Sequence, residues 1–505
     1  MLRFTFCAVT LALTVSARAE SPEIRRWSLQ DCIQQALEHN LNLRIARYSP
    51  EVSLYNLKGA YGAYDPTFSA SGQHSYAKGG SEYNPLFDVT LPGQEADTDT
   101  LSTSLGGLLP WGTTYSLGLQ RLYDTEGKSF RFDTNVMASV PRSYSTSGGS
   151  VNLSVTQPLL KNFWLNPTRL RISILKNTLK QSELGLRGTI MNLVLQVEQA
   201  YYALQAGYEN VKVQESGLEL AERLLAENKK RVEVGALAPL DEKQSEAQVA
   251  ARRADLISAR RDLARLENTL IGLLTDDFAG WTKVELEPSE TLKAERQLFN
   301  LQESWNKALT LSPTYLAAQI GLESQGIQVK IDRNGLYPQV DLKAGGGYAG
   351  SRPEFSGVLG DIEQRDQPSW YVGGELNYPL GNRAARYAYR TSKANYETAR
   401  LSLKQMEQEI MIAVDNAIKN AQASYERVDA TRKYREYAEA ALAAEQKKLE
   451  SGKSTSFVVL QLQRDLTDAR SAEIAALTTY NLALANLASA EGTILERNRI
   501  DLELK

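Results

Sequence analysis

The sequence predicts a mixed membrane protein, part β-barrel and part long α-helical coiled coil, built from two internal repeats. Three observations point there. The chain opens on an export leader, one structural plan recurs in the same order, and proline-free helical stretches stand beside short strands with aromatic ends. No later run reaches the roughly 18 apolar residues of a membrane-spanning helix, so if this exported chain lives in a membrane it must do so through β-strands.

The leader comes first. Met1-Leu2-Arg3 is a basic lead, Phe4 to Val15 is apolar, and Ala17-Arg18-Ala19 is a small-x-small cleavage site, so residues 1–19 read as a signal peptide. No lipid-acceptor cysteine follows, and the mature chain is expected to begin at Glu20 without a lipid anchor. Cleavage removes two arginines and takes the formal charge from -3 to -5. That mild acidity, with signs evenly mixed, argues against a nucleic-acid partner. Cys7 leaves with the leader, so Cys32 lacks an intramolecular partner and is expected to be a buried small hydrophobe.

A chain of 505 residues is expected to be elongated or multi-part. Its repeat keeps register. Leu29, Gln30, Ala36 and Leu37 match Leu301, Gln302, Ala308 and Leu309, and Pro66 matches Pro338 at the same displacement of 272. Pro158 matches Pro379, and Gly235, Arg253, Ala259 and Leu270 match Gly452, Arg470, Ala476 and Leu487 at a displacement of 217. Each copy reads as a short helix pair, a strand region and two long helices. The first repeat is placed at 20–280, with strands in 65–158 and long helices at 167–234 and 239–275. Residues 281–300 read as an equatorial linker. The second repeat is placed at 301–490, with strands in 337–380 and long helices at 383–451 and 455–490, leaving 491–505 as a tail.

Asn166 and Pro167 supply an N-cap and a first helical residue, and about 68 residues at about 1.5 Å each give a rod on the order of 100 Å. A 3,4-spaced seam follows: Leu256, Ala259, Leu263, Leu266, Leu270 and Leu273 in copy one, and Leu466, Ala469, Ala476, Tyr480, Ala483, Leu487 and Ala490 in copy two. Such seams predict coiled-coil packing. The rods far exceed an ordinary helix.

In the strand regions, Trp370, Val372, Leu376 and Tyr378 alternate with Gly373, Glu375 and Asn377. At roughly 3.3 Å per residue, Trp370 to Tyr378 spans about 26 Å, the height of an outer-membrane apolar band with an aromatic rim at each edge. Val151, Leu153 and Val155 repeat the alternation. Pro66 to Pro158 exceeds Pro338 to Pro379 by 51 residues. Within that surplus the turn Leu109-Pro110-Trp111-Gly112 predicts an added hairpin, flanked by long polar loops at 78–99 and 124–146; a folded extracellular flap is the alternative.

These features resemble the TolC-like outer-membrane efflux protein family over essentially the whole mature sequence. The carrying residues are the "ALEHN" opening helix, the "QPLLKN" and "YPLGNRAARY" strand exits, and the paired "VG" and "SG" breaks between long helices. The resemblance implies a homotrimer in which each chain contributes to one shared outer-membrane β-barrel, continuous with a shared periplasmic α-helical barrel. It implies docking of a periplasmic adaptor and an inner-membrane pump, and no cofactor or metal. Independently, four or six strands per chain cannot close a lumen in lipid, so an oligomer is required. Three copies give twelve strands, or eighteen with the added hairpin.

The breaks at Gly235-Ala236-Leu237 and Gly452-Lys453-Ser454 would then be helix-to-helix turns at the periplasmic mouth, where Leu237 either meets an adaptor or packs across its own turn. The candidate constriction residues are Asp241, Gln244, Val458, Gln461 and Asp465. Well-known family members carry two aspartates that ring the mouth where this chain has Val458 and Gln461. Asp241 is kept, but Leu449 and Ser454 cannot form salt bridges to it. Asp465, on the same helix face as Val458 and Gln461, is expected either to form an acidic ring or to be a solvated surface acid.

Enzymatic readings lack residues. His39 and His74 are the only histidines, neither pairs with a nucleophile, and no metal-ligand spacing appears. The GxGxxG at Gly345, Gly347 and Gly350 is followed by Ser-Arg-Pro and reads as a strand. The alternatives to an exit duct are a non-channel, outer-membrane-anchored coiled-coil protein or adhesin, and a plain porin, which would need no such rods.

Overall fold

A computed structural model describes residues 23–281 and 284–500; the expected signal peptide, Cys7 and the last five residues of the expected tail lie outside the described residues. In chain order the elements are β1 (Glu23–Trp27), α1 (Leu29–His39), α2 (Leu41–Tyr61), β2 (Thr67–Lys78), β3 (Glu82–Asn84), β4 (Val89–Leu91), β5 (Glu95–Leu108), β6 (Thr114–Asp133) and β7 (Ala138–Pro158). Then come α3 (Pro167–Glu233), α4 (Pro239–Leu274), α5 (Phe278–Trp281), β8 (Val284–Pro288), α6 (Leu301–Leu311) and α7 (Pro313–Asn334). The last are β9 (Gln339–Arg352), α8 (Phe355–Gln364), β10 (Gln367–Asn377), α9 (Arg383–Glu450), α10 (Ser456–Glu491) and α11 (Ile494–Arg497). No described helix is long and apolar enough to cross a membrane.

Helix boundaries follow local chemistry and repeat with the sequence. α1 and α6, each 11 residues, begin 272 positions apart, as do α2 and α7. Ser28 caps α1: its hydroxyl accepts from the Asp31 N–H at 3.2 Å while the Asp31 carboxylate accepts from the Ser28 N–H at 2.9 Å. Asn300, 272 positions on, caps α6 by accepting from Gln302 and Glu303. Asn166 accepts from the Arg169 N–H at 2.8 Å and Pro167 opens α3, as the sequence predicts. α4 and α10 are 36 residues each and start 217 positions apart.

The described residues form two compact units. The first gathers those through Arg47, those of Leu186–Pro313 and those from Gln408 onward. Here β1 pairs in parallel with β8, which lies inside the stretch expected to be a plain linker. Its largest core packs Cys32, Ile33, Val194, Val197, Tyr201, Leu270 and Leu274 with Ile494 and Leu495 of α11. The expected tail therefore enters the core, because Ile494 and Leu495 bury their side chains fully or nearly so. The predicted seam is the packed face of α10: Leu466, Ala469, Ala476, Tyr480, Ala483 and Leu487 are all buried. Cys32 is buried, as expected, and desolvation pushes its thiol up to about 12.

The second unit comprises Tyr48–Gly185 and Thr314–Glu407. Its main sheet is antiparallel with strand order β10-β9-β7-β6-β5-β2. The 51-residue surplus thus adds a hairpin to the sheet, around the turn expected at Leu109–Gly112. One flank differs from expectation. The second flank is strand rather than a long polar loop, for β6 and β7 run 20 and 21 residues and meet in a tight turn at 134–137, while the first is a 79–94 connection that carries only the short β3–β4 ribbon before β5 begins. Polar ladders extend the strands where apolar alternation stops: Thr98 bonds Thr125 at 3.0 Å, Lys78 bonds Glu95 at 2.6 Å and His74 bonds Asp99 at 2.9 Å. Within 337–380 the sequence reading also missed α8.

Candidate functional site: a two-faced wall and paired helical turns

The register of the sheet sorts its side chains. Phe68, Leu105, Leu117, Leu153, Gly346 and Trp370 form one continuous cross-strand row through all six strands. Its five side chains are all exposed, Trp370 at 82 %. The neighbouring row, one residue along, is Ser69, Ser104, Gly118, Asn152, Gly347 and Ser369. Successive residues point to opposite faces of a sheet. One face is therefore apolar yet exposed, and the other small and polar, the alternation of a wall between lipid and water. The edge strands β2 and β10 are exposed almost throughout. A sheet with bare edges and a lipid-compatible face is incomplete by itself. Tyr378, expected with Trp370 as an aromatic rim, follows the last residue of β10 and is less exposed.

In the other unit, α3 stops two residues before Gly235 and α9 two residues before Gly452, glycines whose φ values are 72° and 74°. Both ends close in the same way. Gly235 N–H donates to the Val232 carbonyl and Ala236 N–H to that of Arg231; Gly452 N–H donates to Leu449 and Lys453 N–H to Lys448. These are two copies of one left-handed helix stop, which glycine adopts without a Cβ penalty. Between them and the following helices lie short turns that leave Val234 78 % and Leu240 66 % exposed.

Comparison with known proteins now decides the family. The pattern described as "Outer membrane efflux protein" matches residues 113–275 and 305–493. The chain belongs to the outer membrane efflux protein family. It is 22% identical over 330 residues to outer membrane protein TolC of Vibrio cholerae, covering 64% of this chain and 73% of that one. It is 24% identical over 354 residues to outer membrane efflux protein BepC of Brucella suis, covering 69% and 73%. The solved outer membrane protein VceC of Vibrio cholerae superposes with a TM-score of 0.66 at 18% identity, covering 92% of this chain and 96% of that one.

In this outer membrane efflux protein the predicted tip residues Gly235, Ala236, Gly452 and Lys453 are exposed, while Leu237 and Ser454 are half-buried. The apolar surface at the first turn is Val234 and Leu240, and at the second Phe457, which the sequence reading did not single out. Ser454 donates to Glu445 at 2.5 Å within its own hairpin. Leu449 is buried, and its carbonyl accepts weakly from Arg231 at 3.5 Å.

Of the candidate constriction residues, Asp241 is engaged locally: its carboxylate accepts from the Ala238 N–H at 3.3 Å and caps α4. Gln244, Val458 and Gln461 are exposed and Asp465 half-buried. Val458, Gln461 and Asp465 share one face of α10, opposite the buried Val459, Gln463 and Leu466.

A buried polar cluster near the turns was missed. Asn228 of α3 is fully buried, donates to Ser245 Oγ of α4 at 2.8 Å, and accepts from Ser456 Oγ of α10 at 3.0 Å. One amide thereby ties three helices just behind the turns. Burial pairs such groups because an unmade hydrogen bond there is costly. Nothing in "AENKKR" separates Asn228 from a surface residue.

Proposed function

We propose that this outer-membrane efflux protein is one third of a passive exit duct. Three copies join β10 of one chain to β2 of the next, closing an eighteen-stranded barrel with the Trp370 row toward lipid and the Ser369 row toward the lumen. The two repeats, at 20–280 and 301–490, supply four and two of the wall strands, and their long helices line a periplasmic conduit on the order of 100 Å long. The turns at Gly235–Leu237 and Gly452–Ser454 face a periplasmic adaptor, through which an inner-membrane pump loads the duct. Val234, Leu240 and Phe457 give that contact its apolar area. Gln244, Val458, Gln461 and Asp465 line the narrow end.

The observation that carries this reading is the six-stranded sheet with one apolar exposed face and two bare edges. Neither an adhesin stalk nor a monomeric anchor accounts for both edges, since open strands are not tolerated in lipid.

Single-particle imaging of the detergent-purified mature protein tests it. A three-fold hollow tube with eighteen strands in its wall is expected. A solid rod, or a monomer without a lumen, would overturn the duct and leave the anchored coiled-coil alternative.

A further inference from the structure

Helix α8 connects β9 to β10 and packs on β9 and β7. Its seat is built. Gly350 of β9 leaves room for it: a Cβ there would lie 2.6 Å from the Val358 carbonyl oxygen and 3.0 Å from Asp361 Cβ. Asp361 is buried and takes Arg352 in a two-point pair, Nε at 2.9 Å and Nη2 at 2.7 Å. The Pro353 carbonyl accepts from Ser145 Oγ at 2.7 Å. This seat uses the Val358–Asp361 side of the helix. Phe355 and Leu359, one turn apart on a flank, stay 40 % and 47 % exposed, and Gln364 lies on the opposite flank.

The position of the seat gives that flank a meaning. Gly346, Tyr348 and Gly350 alternate onto one face of β9, and Gly346 belongs to the row that ends at Trp370. α8 therefore rests on the apolar face of the wall, four residues beyond the Trp370 row. Four residues at about 3.3 Å, on strands tilted by roughly 35–45°, amount to about 10 Å of height. Between them the Arg365 guanidinium, at the α8 C-cap, lies 5.7 Å from the Tyr348 ring centroid.

We propose that α8 is a lateral membrane anchor, with Phe355 and Leu359 seated at the headgroup–acyl boundary of the outer leaflet. The occupant is lipid because the face carrying α8 is continuous with the apolar band, and an amphipathic helix at that height buries its apolar flank in the interface. The proposal rests on the reading of the Trp370 row as lipid-facing.

The test uses the full chain reconstituted in liposomes containing lipid with a nitroxide high on the acyl chain. An environment-sensitive fluorophore is attached at Leu359→Cys, Gln364→Cys or Leu153→Cys. Buried Cys32 stays unlabelled. The Leu359 probe is expected to be quenched by the nitroxide lipid about threefold more than the Gln364 probe, with the reverse order for aqueous iodide. Equal iodide quenching at both sites would show a water-exposed flank and overturn the anchor. Shielding of the Leu359 probe from both quenchers would show a protein cover, such as a second copy, and also overturn it. The Leu153 probe separates the two readings: lipid quenching there without quenching at Leu359 removes the anchor alone, while no quenching at Leu153 removes the wall. Phe355→Cys serves as the second site if Leu359→Cys fails to assemble.

Discussion

Arg470 donates to Glu439 at 2.9 Å across the second helical hairpin, and 217 positions earlier Arg253 donates to Glu222 at 3.1 Å across the first. The same ion pair is thus built twice, once in each repeat. The copies differ in setting. Arg253 is largely exposed, whereas the Arg470 pair is more sheltered and joins Arg435 and Glu473 in one network. Arg470→Ala is expected to cost about 1 kcal/mol and Arg253→Ala at most about 0.5 kcal/mol, because exposed pairs are screened. Thermal unfolding of the two variants compares them directly. Equal shifts in Tm would show that the network adds nothing to the pair.

The matched helix stops predict matched penalties. No atom lies within 4 Å of a Cβ built on Gly235 or Gly452, so only backbone strain opposes a side chain. Gly235→Ala and Gly452→Ala should each cost about 1 kcal/mol, and Gly452→Asn less, since asparagine tolerates the left-handed region. Denaturant midpoints read this out. A large cost at one turn only would mean that a partner surface, rather than the turn, constrains it.

Asn228 joins three helices behind the turns. Asn228→Ala takes away the acceptor of the buried Ser456 hydroxyl, while Ser245 keeps its bond to the Asp241 carbonyl at 2.9 Å, and is expected to cost about 1–3 kcal/mol. If it also frees α10 to move, open probability in planar bilayers rises. A destabilised protein with unchanged channel current would limit Asn228 to packing.

Glu198 sets a pH dependence. Burial pushes its carboxyl above the ordinary range, partly opposed by Arg497 at 3.9 Å and the Asn498 amide at 2.5 Å. Between the ordinary carboxyl value and the raised folded one, the folded state therefore holds a proton that the unfolded state releases. This contribution is fully present below the ordinary carboxyl pKa of about 4.3 and is lost as pH rises through the raised folded value. Glu198→Gln keeps the acceptor for Asn498 and removes that loss. Its Tm should fall less than the parent's as pH rises above the ordinary carboxyl range. Parallel curves for parent and variant would rule Glu198 out as the source.

How far the sequence speaks depends on where each signal resides. Gly235, Gly452, Asn166 and Pro167 mark helix ends through local backbone chemistry, so the rods were legible to within a residue or two. Trp370 and Leu153 declared the wall because alternation is also local. Beyond the band, strand pairing rests on partners such as Thr98 with Thr125, 27 residues apart, and a run of Ser, Thr and Asp looks like loop. α8 was hidden by two glycines, Gly357 and Gly360, within a ten-residue helix. Asn228 and the buried end at Ile494 and Leu495 were invisible for a related reason: their meaning comes from residues hundreds of positions away.

The parallel pairing of β1 with β8, and the burial of α11 beside α1, have a consequence for biogenesis. Strand Glu23–Trp27 finds its partner only when Val284–Pro288 has emerged, and the core around Cys32 closes only with Ile494 and Leu495 in place. Loop closure over such separations is slow, and incomplete chains expose apolar surface. A polypeptide threaded across the inner membrane from its N-terminus thus keeps this core open, with apolar surface exposed, until its final segment arrives. Truncations near the C-terminus should therefore act on secretion yield and chaperone dependence before they act on transport.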